Sequence, residues 1–234
     1  MDNIVFVCPT LAIPGVDLAV RAAWLPFAPR LHVVNYPLWG TLDLESNYAT
    51  ARRKLLGLYA RYGKLRLAGW SQGAPHSVRF ALEHPHMVER LVLIAGALDG
   101  SWLGYLFPLL PAARDMTPGS AYCRTLAREL AFRGHDLPYT VVLVGLEDGV
   151  IEQSAARLPS ELDHLDQVHC HLFSNVPLRL QPESPRLHWH WAPGTNHVTM
   201  GFHPIVLWYI RAALTGAIYA PLPPHPEAVA LFAR

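Results

Sequence analysis

The chain has 234 residues, of which 51% are hydrophobic and only 16% charged, and its formal net charge is +1. That length suits one α/β domain with a substantial core and is short for two. The hydrophobic balance excludes a disordered chain, and the near-neutral charge leaves no basic footprint for nucleic acid. Three cysteines, Cys8, Cys123 and Cys170, make no Cys-x-x-Cys pair and are odd in number, so they read as buried, reduced thiols. No basic stretch followed by a long apolar one opens the chain, and no apolar run reaches the length of a membrane span. Both point to a cytoplasmic protein without stable membrane insertion.

In chain order, residues 4–8 form a continuous apolar run, as in a strand buried on both faces of a parallel sheet. A loop and a short helix over 17–24 follow, then a strand over 31–36. Helical spacing of Leu55, Leu56 and Tyr59 marks a helix over 44–62. A strand over 64–68 leads through a turn into a helix over 74–84, and residues 88–96 give another buried strand. This alternation predicts a parallel sheet with right-handed crossovers. The rhythm breaks after Gly96. Residues 98–136 offer no strand but carry Trp102, Leu103, Tyr105, Leu106, Phe107, Leu109 and Leu110, then a helix over 120–133. Two readings stand for this insertion: ordinary helices packed on the sheet, or a cap over the edge where α/β sheets bind ligands. The sheet resumes over 139–145, with a last strand over 187–191, a helix over 204–214 and a Pro-rich tail.

The turn between the third strand and its helix is Gly69-Trp70-Ser71-Gln72-Gly73. Chance alone gives Gly-x-Ser-x-Gly in roughly one chain in ten of this length, so the strand-turn-helix context is what carries the signal. Such a turn holds its serine in a strained conformation and leaves the next N–H, that of Gln72, at a helix N-terminus, where it can donate to an oxyanion. A serine hydroxyl needs a histidine base, and that histidine needs an acid to fix its tautomer. Loops after the two later strands offer Asp148, in a Glu-Asp-Gly turn, and His197, in a Gly-Thr-Asn-His loop. Glu147 competes with Asp148, which is favoured because Gly149 permits the turn that aims it inward. Asp166 has no strand ahead of it. Among 13 histidines, His169 with His171 and His188 with His190 form His-x-His pairs that would face one side of a strand. No carboxylate or cysteine cluster completes either pair, so no metal is assigned.

On these segments the chain resembles α/β-hydrolases of the bacterial lipase and esterase kind, over residues 4 to about 214. The resemblance rests on Gly69 to Gly73, on Met116-Thr117-Pro118-Gly119-Ser120, on Asp148-Gly149-Val150-Ile151 and on Asn196-His197-Val198. The Pro-Gly-Ser segment favours the lipase branch over thioesterases. It implies an α/β-hydrolase fold with a mostly parallel sheet, helices on both faces and a helical cap at about 98–136. Ser71 is then the nucleophile, Asp148 the orienting acid and His197 the base, with no cofactor. Where such enzymes carry His-Gly after the first strand, this chain has Cys8-Pro9-Thr10-Leu11. Pro9 has no N–H and a fixed φ, so Thr10 takes the place of second oxyanion donor, with Leu11 the next choice. Leu11, Trp70, Trp102 and Phe107 are expected to touch substrate. The implied reaction is hydrolysis of a small-molecule ester with an apolar acyl part. Two alternatives stay open: an acyltransferase or cyclase emptying the same acyl-enzyme, and a non-catalytic binding protein.

Overall fold

Every strand among the described residues runs in the same direction. The computed structural model describes residues 3–11, 14–26, 28–159, 162, 165–174 and 187–216, and the Pro-rich tail expected at the end lies outside them. Its strands are β1 (Ile4–Val7), β2 (His32–Val34), β3 (Leu65–Trp70), β4 (Val88–Ile94), β5 (Tyr139–Gly145), β6 (Val168–Ser174) and β7 (Leu187–Trp191), joined in the order β2-β1-β3-β4-β5-β6-β7. Apolar runs without alternation are what burial on both faces requires, and Ile4 through Val7 are all buried.

The helices are α1 (Pro14–Trp24), α2 (Leu44–Tyr62), α3 (Gly73–Glu83), α4 (Leu103–Leu106), α5 (Pro111–Asp115), α6 (Ala121–Arg133), α7 (Gln153–Ala156) and α8 (Pro204–Thr215). Asp43 opens α2 by accepting from the Ser46 N–H at 2.8 Å, and Gly63, at φ 77°, closes it. The chain steps from β1 to β2, then returns past β1 to β3 and onward to β7. Right-handed crossovers in opposite directions set α1 on one face and α2, α3 and α6 on the other. On the α1 face, Trp24 meets Phe6 edge to face at 5.2 Å and donates to the Gly201 carbonyl just ahead of α8 at 3.3 Å. The point of reversal lies between β1 and β3, whose outgoing loops diverge and leave a crevice at the carboxyl edge.

Two regions show what the sequence pattern alone did not resolve. Strand β6 is not legible in the sequence, because His169 and His171 break its hydrophobic pattern. In the fold they share a face with His188 and His190 of β7, since His171 pairs with His188 and Phe173 with His190. The rings behave as aromatics: His171 stacks on His188 at 4.7 Å and on His190 at 5.1 Å. A line of hydrogen bonds joins them, with the Tyr209 hydroxyl of α8 2.7 Å from His190 Nδ1 and His190 Nε2 2.9 Å from His171 Nδ1. Stacked rings do not converge on a point, and among the described residues no group of three or more His, Cys, Asp or Glu could hold a metal ion. The insertion, in turn, divides. Helix α6 is an ordinary layer helix with Cys123, Leu126 and Leu130 buried, whereas Tyr105, Leu106, Phe107 and Leu109 around α4 face solvent.

Among the described residues no helix is long and apolar enough to cross a membrane.

Burial holds His76 and His190 down to about 3, and His171 well below its ordinary value. The unfolded chain protonates these imidazoles near pH 6.5, so between that pH and about 3 protons bind only the unfolded state. Stability should therefore be flat between about pH 7 and 8 and fall below 6.5, each such histidine contributing up to about 1.4 kcal/mol per pH unit. Denaturant midpoints between pH 7.5 and 5, above the carboxylate range, check this; a flat profile there would refute it.

Candidate active site

The elbow is shaped by how closely three backbone segments approach. A Cβ on Gly73 would collide with the Val7 carbonyl of β1, and one on Gly69 would lie 2.6 Å from Ser77 Oγ. Only glycine fits either place. Ser71 between them sits at φ 53°, with its N–H donating to the Ile94 carbonyl at 2.9 Å and its carbonyl accepting from the Ala74 N–H at 3.0 Å. Leu11, Leu38, Trp39 and Ala95 are the other non-glycine residues with positive φ among those described. All five lie just beyond the carboxyl ends of β1 to β4. Such conformations cost about 1–3 kcal/mol each and collect where function demands them.

The fold brings Ser71, Asp148 and His197 together. His197 Nε2 is 3.0 Å from Ser71 Oγ, and its Nδ1 is 3.0 Å from both carboxylate oxygens of Asp148. The Asp148 side chain is 3% exposed and that of His197 12%, so the pair is shielded while the imidazole edge stays reachable. Asp148 Oδ1 also accepts the N–H groups of Val150 at 3.0 Å and Ile151 at 2.7 Å, which fixes the carboxylate. The His197 N–H donates to the Asp148 carbonyl at 3.1 Å, tying acid loop to base loop. The base loop braces itself: Asn196 Oδ1 accepts from Val198 and Thr199, and Thr199 Oγ1 donates to the Gly194 carbonyl at 2.7 Å. A His197 tautomer with its hydrogen on Nδ1, toward Asp148, would turn the Nε2 lone pair to the serine hydroxyl, the arrangement a general base needs.

The neighbours sort themselves by direction. Glu147 accepts from Ser174 Oγ at 2.8 Å, at the end of β6 and away from His197. Asp166 stands just ahead of β6, at the amino edge of the sheet opposite the serine. Cys8 is buried, its thiol pushed up to about 12 by desolvation, and it donates to Asn35 Oδ1 at 2.8 Å as a neutral group.

In the loop after β1 the Cys8 N–H is used by the Val34 carbonyl and the Leu11 N–H by the Trp39 carbonyl at 2.8 Å. Leu11 is thus committed and cannot serve as the second donor. Pro9 has no N–H, and Thr10's has no acceptor among the described residues; the same holds for the Gln72 N–H at the start of α3. Those two are the donors left for a ligand.

Of the expected substrate contacts, Leu11, Trp102 and Phe107 are exposed at the carboxyl edge, while Trp70 is only 4% exposed. Trp70 lies beneath the base loop, its indole N–H donating to the His197 carbonyl at 3.2 Å and its ring edge-on to Phe202 at 5.4 Å. It supports the base from below and does not line the open side. Ser101 was not anticipated. Its hydroxyl donates to the Val150 carbonyl at 2.7 Å and so binds the start of α4 to the acid loop. At the far end, α5 is tied to the loop after β2, with the Ala112 N–H on the Thr41 carbonyl and Asp115 accepting from the Leu44 N–H. Helices α4 and α5 therefore span the carboxyl edge from the β5 side to the β2 side. The Met116 to Ser120 segment has a packing role: Gly100 abuts it, and Ser120 caps α6 by accepting from the Cys123 N–H at 3.2 Å.

This architecture is the α/β-hydrolase fold: a parallel sheet with helices on both faces, and an elbow serine, an acid and a histidine arriving in that order. Several solved structures are similar to it throughout. Lipase BlEst2 of Bacillus licheniformis in its mature form superposes with a TM-score of 0.60 at 16% identity, covering 91% of each chain. Lipase B of Aspergillus fumigatus gives 0.63 at 14%, covering 92% of this chain and 52% of that one. A monoacylglycerol lipase of Paleococcus ferrophilus gives 0.56 at 13%, covering 90% and 94%. No protein-family profile matches the sequence, and no curated protein matches it.

Replacing Asp148 by Asn should keep the fold, because the Asn oxygen can still take the Val150 and Ile151 N–H groups. Its amide would then face His197 Nδ1 and force the wrong tautomer, lowering kcat by about 10²–10⁴-fold. Glu147→Gln should cost far less. Ester turnover by both variants, with circular dichroism as the folding control, checks this, and equal losses would remove the distinction between the neighbours.

Proposed function

We propose that the chain is a serine hydrolase that cleaves carboxylic esters with an apolar acyl part through an acyl-enzyme. The observation that carries this reading is the Ser71–His197–Asp148 alignment, with both hydrogen-bonded spans at 3.0 Å. Ser71 Oγ attacks the ester carbonyl while its proton passes to His197 Nε2. Asp148 stabilises the imidazolium, and the carbonyl oxygen, now an anion, takes hydrogen bonds from the Gln72 and Thr10 N–H groups. Collapse breaks the bond to the alcohol, which leaves with the proton from His197. Water, deprotonated by the same histidine, then attacks the acyl-Ser71 ester and releases the acid.

The apolar preference is supported by the rim. Leu11, Leu38, Trp39, Trp102, Phe107 and Val198 are all exposed, in segments that follow the carboxyl ends of four different strands. So many large apolar groups on one edge indicate a surface built to meet an apolar ligand. With α4 and α5 stretched across that edge, the insertion acts as a cap over the serine.

Two measurements test the proposal. Ser71 should react with a fluorophosphonate probe, and Ser71→Ala should abolish labelling and lower turnover by roughly 10³-fold or more; labelling that persists at another serine would sink the assignment. Across p-nitrophenyl esters, kcat/KM should rise about threefold to fourfold per added methylene, since each is worth about 0.8 kcal/mol when buried, until the site is full. Phe107→Ala or Trp102→Ala should flatten that rise and leave acetate hydrolysis nearly unchanged. Flat chain-length dependence with fast acetate hydrolysis would instead mean a small-ester esterase.

A further inference from the structure

The Gln72 side chain points away from the substrate side and is fully buried. Its carboxamide joins a line of polar groups that the reaction does not use. Thr10 Oγ1–H donates to Gln72 Oε1, Gln72 Nε2 lies 3.2 Å from His76 Nε2, and His76 Nδ1 lies 2.9 Å from the Tyr122 hydroxyl. Tyr122 belongs to α6, in the insertion, and Thr10 to the loop after β1, so the line crosses α3 and links two distant segments. His76 has no exposed surface and is boxed by Tyr36 at 5.5 Å, Tyr48 at 5.7 Å and Tyr122 at 6.0 Å between ring centroids. At the outer end, Arg79 packs over the Tyr48 ring at 4.1 Å and pairs with Glu45 at 2.7 Å and Glu83 at 3.2 Å.

The directions along this line are coupled, so fixing one fixes the rest. A neutral imidazole has one N–H and one lone pair. If Nδ1 carries the hydrogen and gives it to Tyr122, Nε2 offers only a lone pair, and Gln72 must turn its NH₂ toward it. The Gln72 oxygen then faces Thr10 and takes the hydroxyl hydrogen. The Thr10 side chain is thereby held, and its backbone N–H is left as the group free for substrate. Removing the Tyr122 hydroxyl leaves the His76 Nδ1–H buried without a partner. The hydrogen then moves to Nε2, which faces the Gln72 NH₂ donor to donor; the carboxamide turns over, and the Thr10 hydroxyl, now facing the NH₂, has to rotate from donating to accepting.

The geometry points to His76 and Tyr122 as positioning residues for the oxyanion hole, acting through the Gln72 carboxamide on Thr10. This inference rests on the reading of Thr10 as an oxyanion donor. It assigns α6 a part in catalysis without contact to substrate, and makes the insertion and the loop after β1 one mechanical unit.

Tyr122→Phe should lower kcat about tenfold with KM nearly unchanged, because an oxyanion contact strengthens only in the transition state. His76→Gln, which keeps an acceptor and a donor, should retain more kcat than His76→Phe, which keeps only the bulk. The double variant Thr10→Val/Tyr122→Phe should be no worse than Thr10→Val, because both break one line; additive losses would overturn the inference. Amide hydrogen exchange at residues 8–11 needs no substrate and should quicken in Tyr122→Phe. Unchanged exchange would overturn the relay even in an active enzyme. Quickened exchange in Tyr122→Phe, together with a wild type that hydrolyses no ester, would leave the relay standing and overturn the ester-hydrolase reading alone.

Discussion

The contact on which the rest of this structure depends is the one between the start of α3 and the end of β1, where the Gly73 backbone lies directly against the Val7 carbonyl. Bringing a helix N-terminus that close to a neighbouring strand leaves the chain one route out of β3, the tight turn that puts Ser71 at φ 53°. The same approach brings the loop after β1 beside the N–H of Gln72. The placing of Ser71, of the Gln72 and Thr10 N–H groups and of the buried Gln72 side chain all follows from it. Its cost is a set of strained residues, and the surrounding ladder repays that through hydrogen bonds that continue past the strand ends, from Ser71 to Ile94 and from Ala95 to Leu143, each at 2.9 Å.

Around that contact the two later loops are independent pieces that had to be brought in from far along the chain. Asp148 lies 49 positions from His197, and His197 lies 126 from Ser71. What makes them meet is the sheet order: β5 and β7 end at the same edge as β3, so their loops converge although the chain between them wanders. Trp70 shows how closely the site and core are joined, since one residue before the nucleophile it carries the loop of the base on its indole.

Much of this was legible in the sequence because it depends on local rules. The apolar runs of β1, β4 and β5, the glycines of the elbow and the helical spacing of α2 each state their structure within a few residues. The order serine, acid, histidine was equally plain. Other features depend on partners that no local pattern reveals. Strand β6 was hidden because His169 and His171 look polar until their stacking against His188 and His190 is known. The direction of the Glu147 carboxylate depends on Ser174, 27 residues away. Leu11 was excluded as a donor only by the left-handed turn at Leu38 and Trp39, which offers its carbonyl. The Gln72–His76–Tyr122 line had no signal in the sequence, since it joins three elements through side chains that read singly as ordinary helix residues.

The attachments of α4 and α5 have a consequence of their own. A segment pinned by Ser101 to the acid loop at one end, and by Ala112 and Asp115 to the loop before α2 at the other, is a crossbar and not a hinged flap. Swinging it aside would break hydrogen bonds at both ends and loosen the acid loop that holds Asp148. Movement along this bar is thereby left to exposed side chains such as Phe107 and Trp102, which can turn while the backbone beneath them stays fixed.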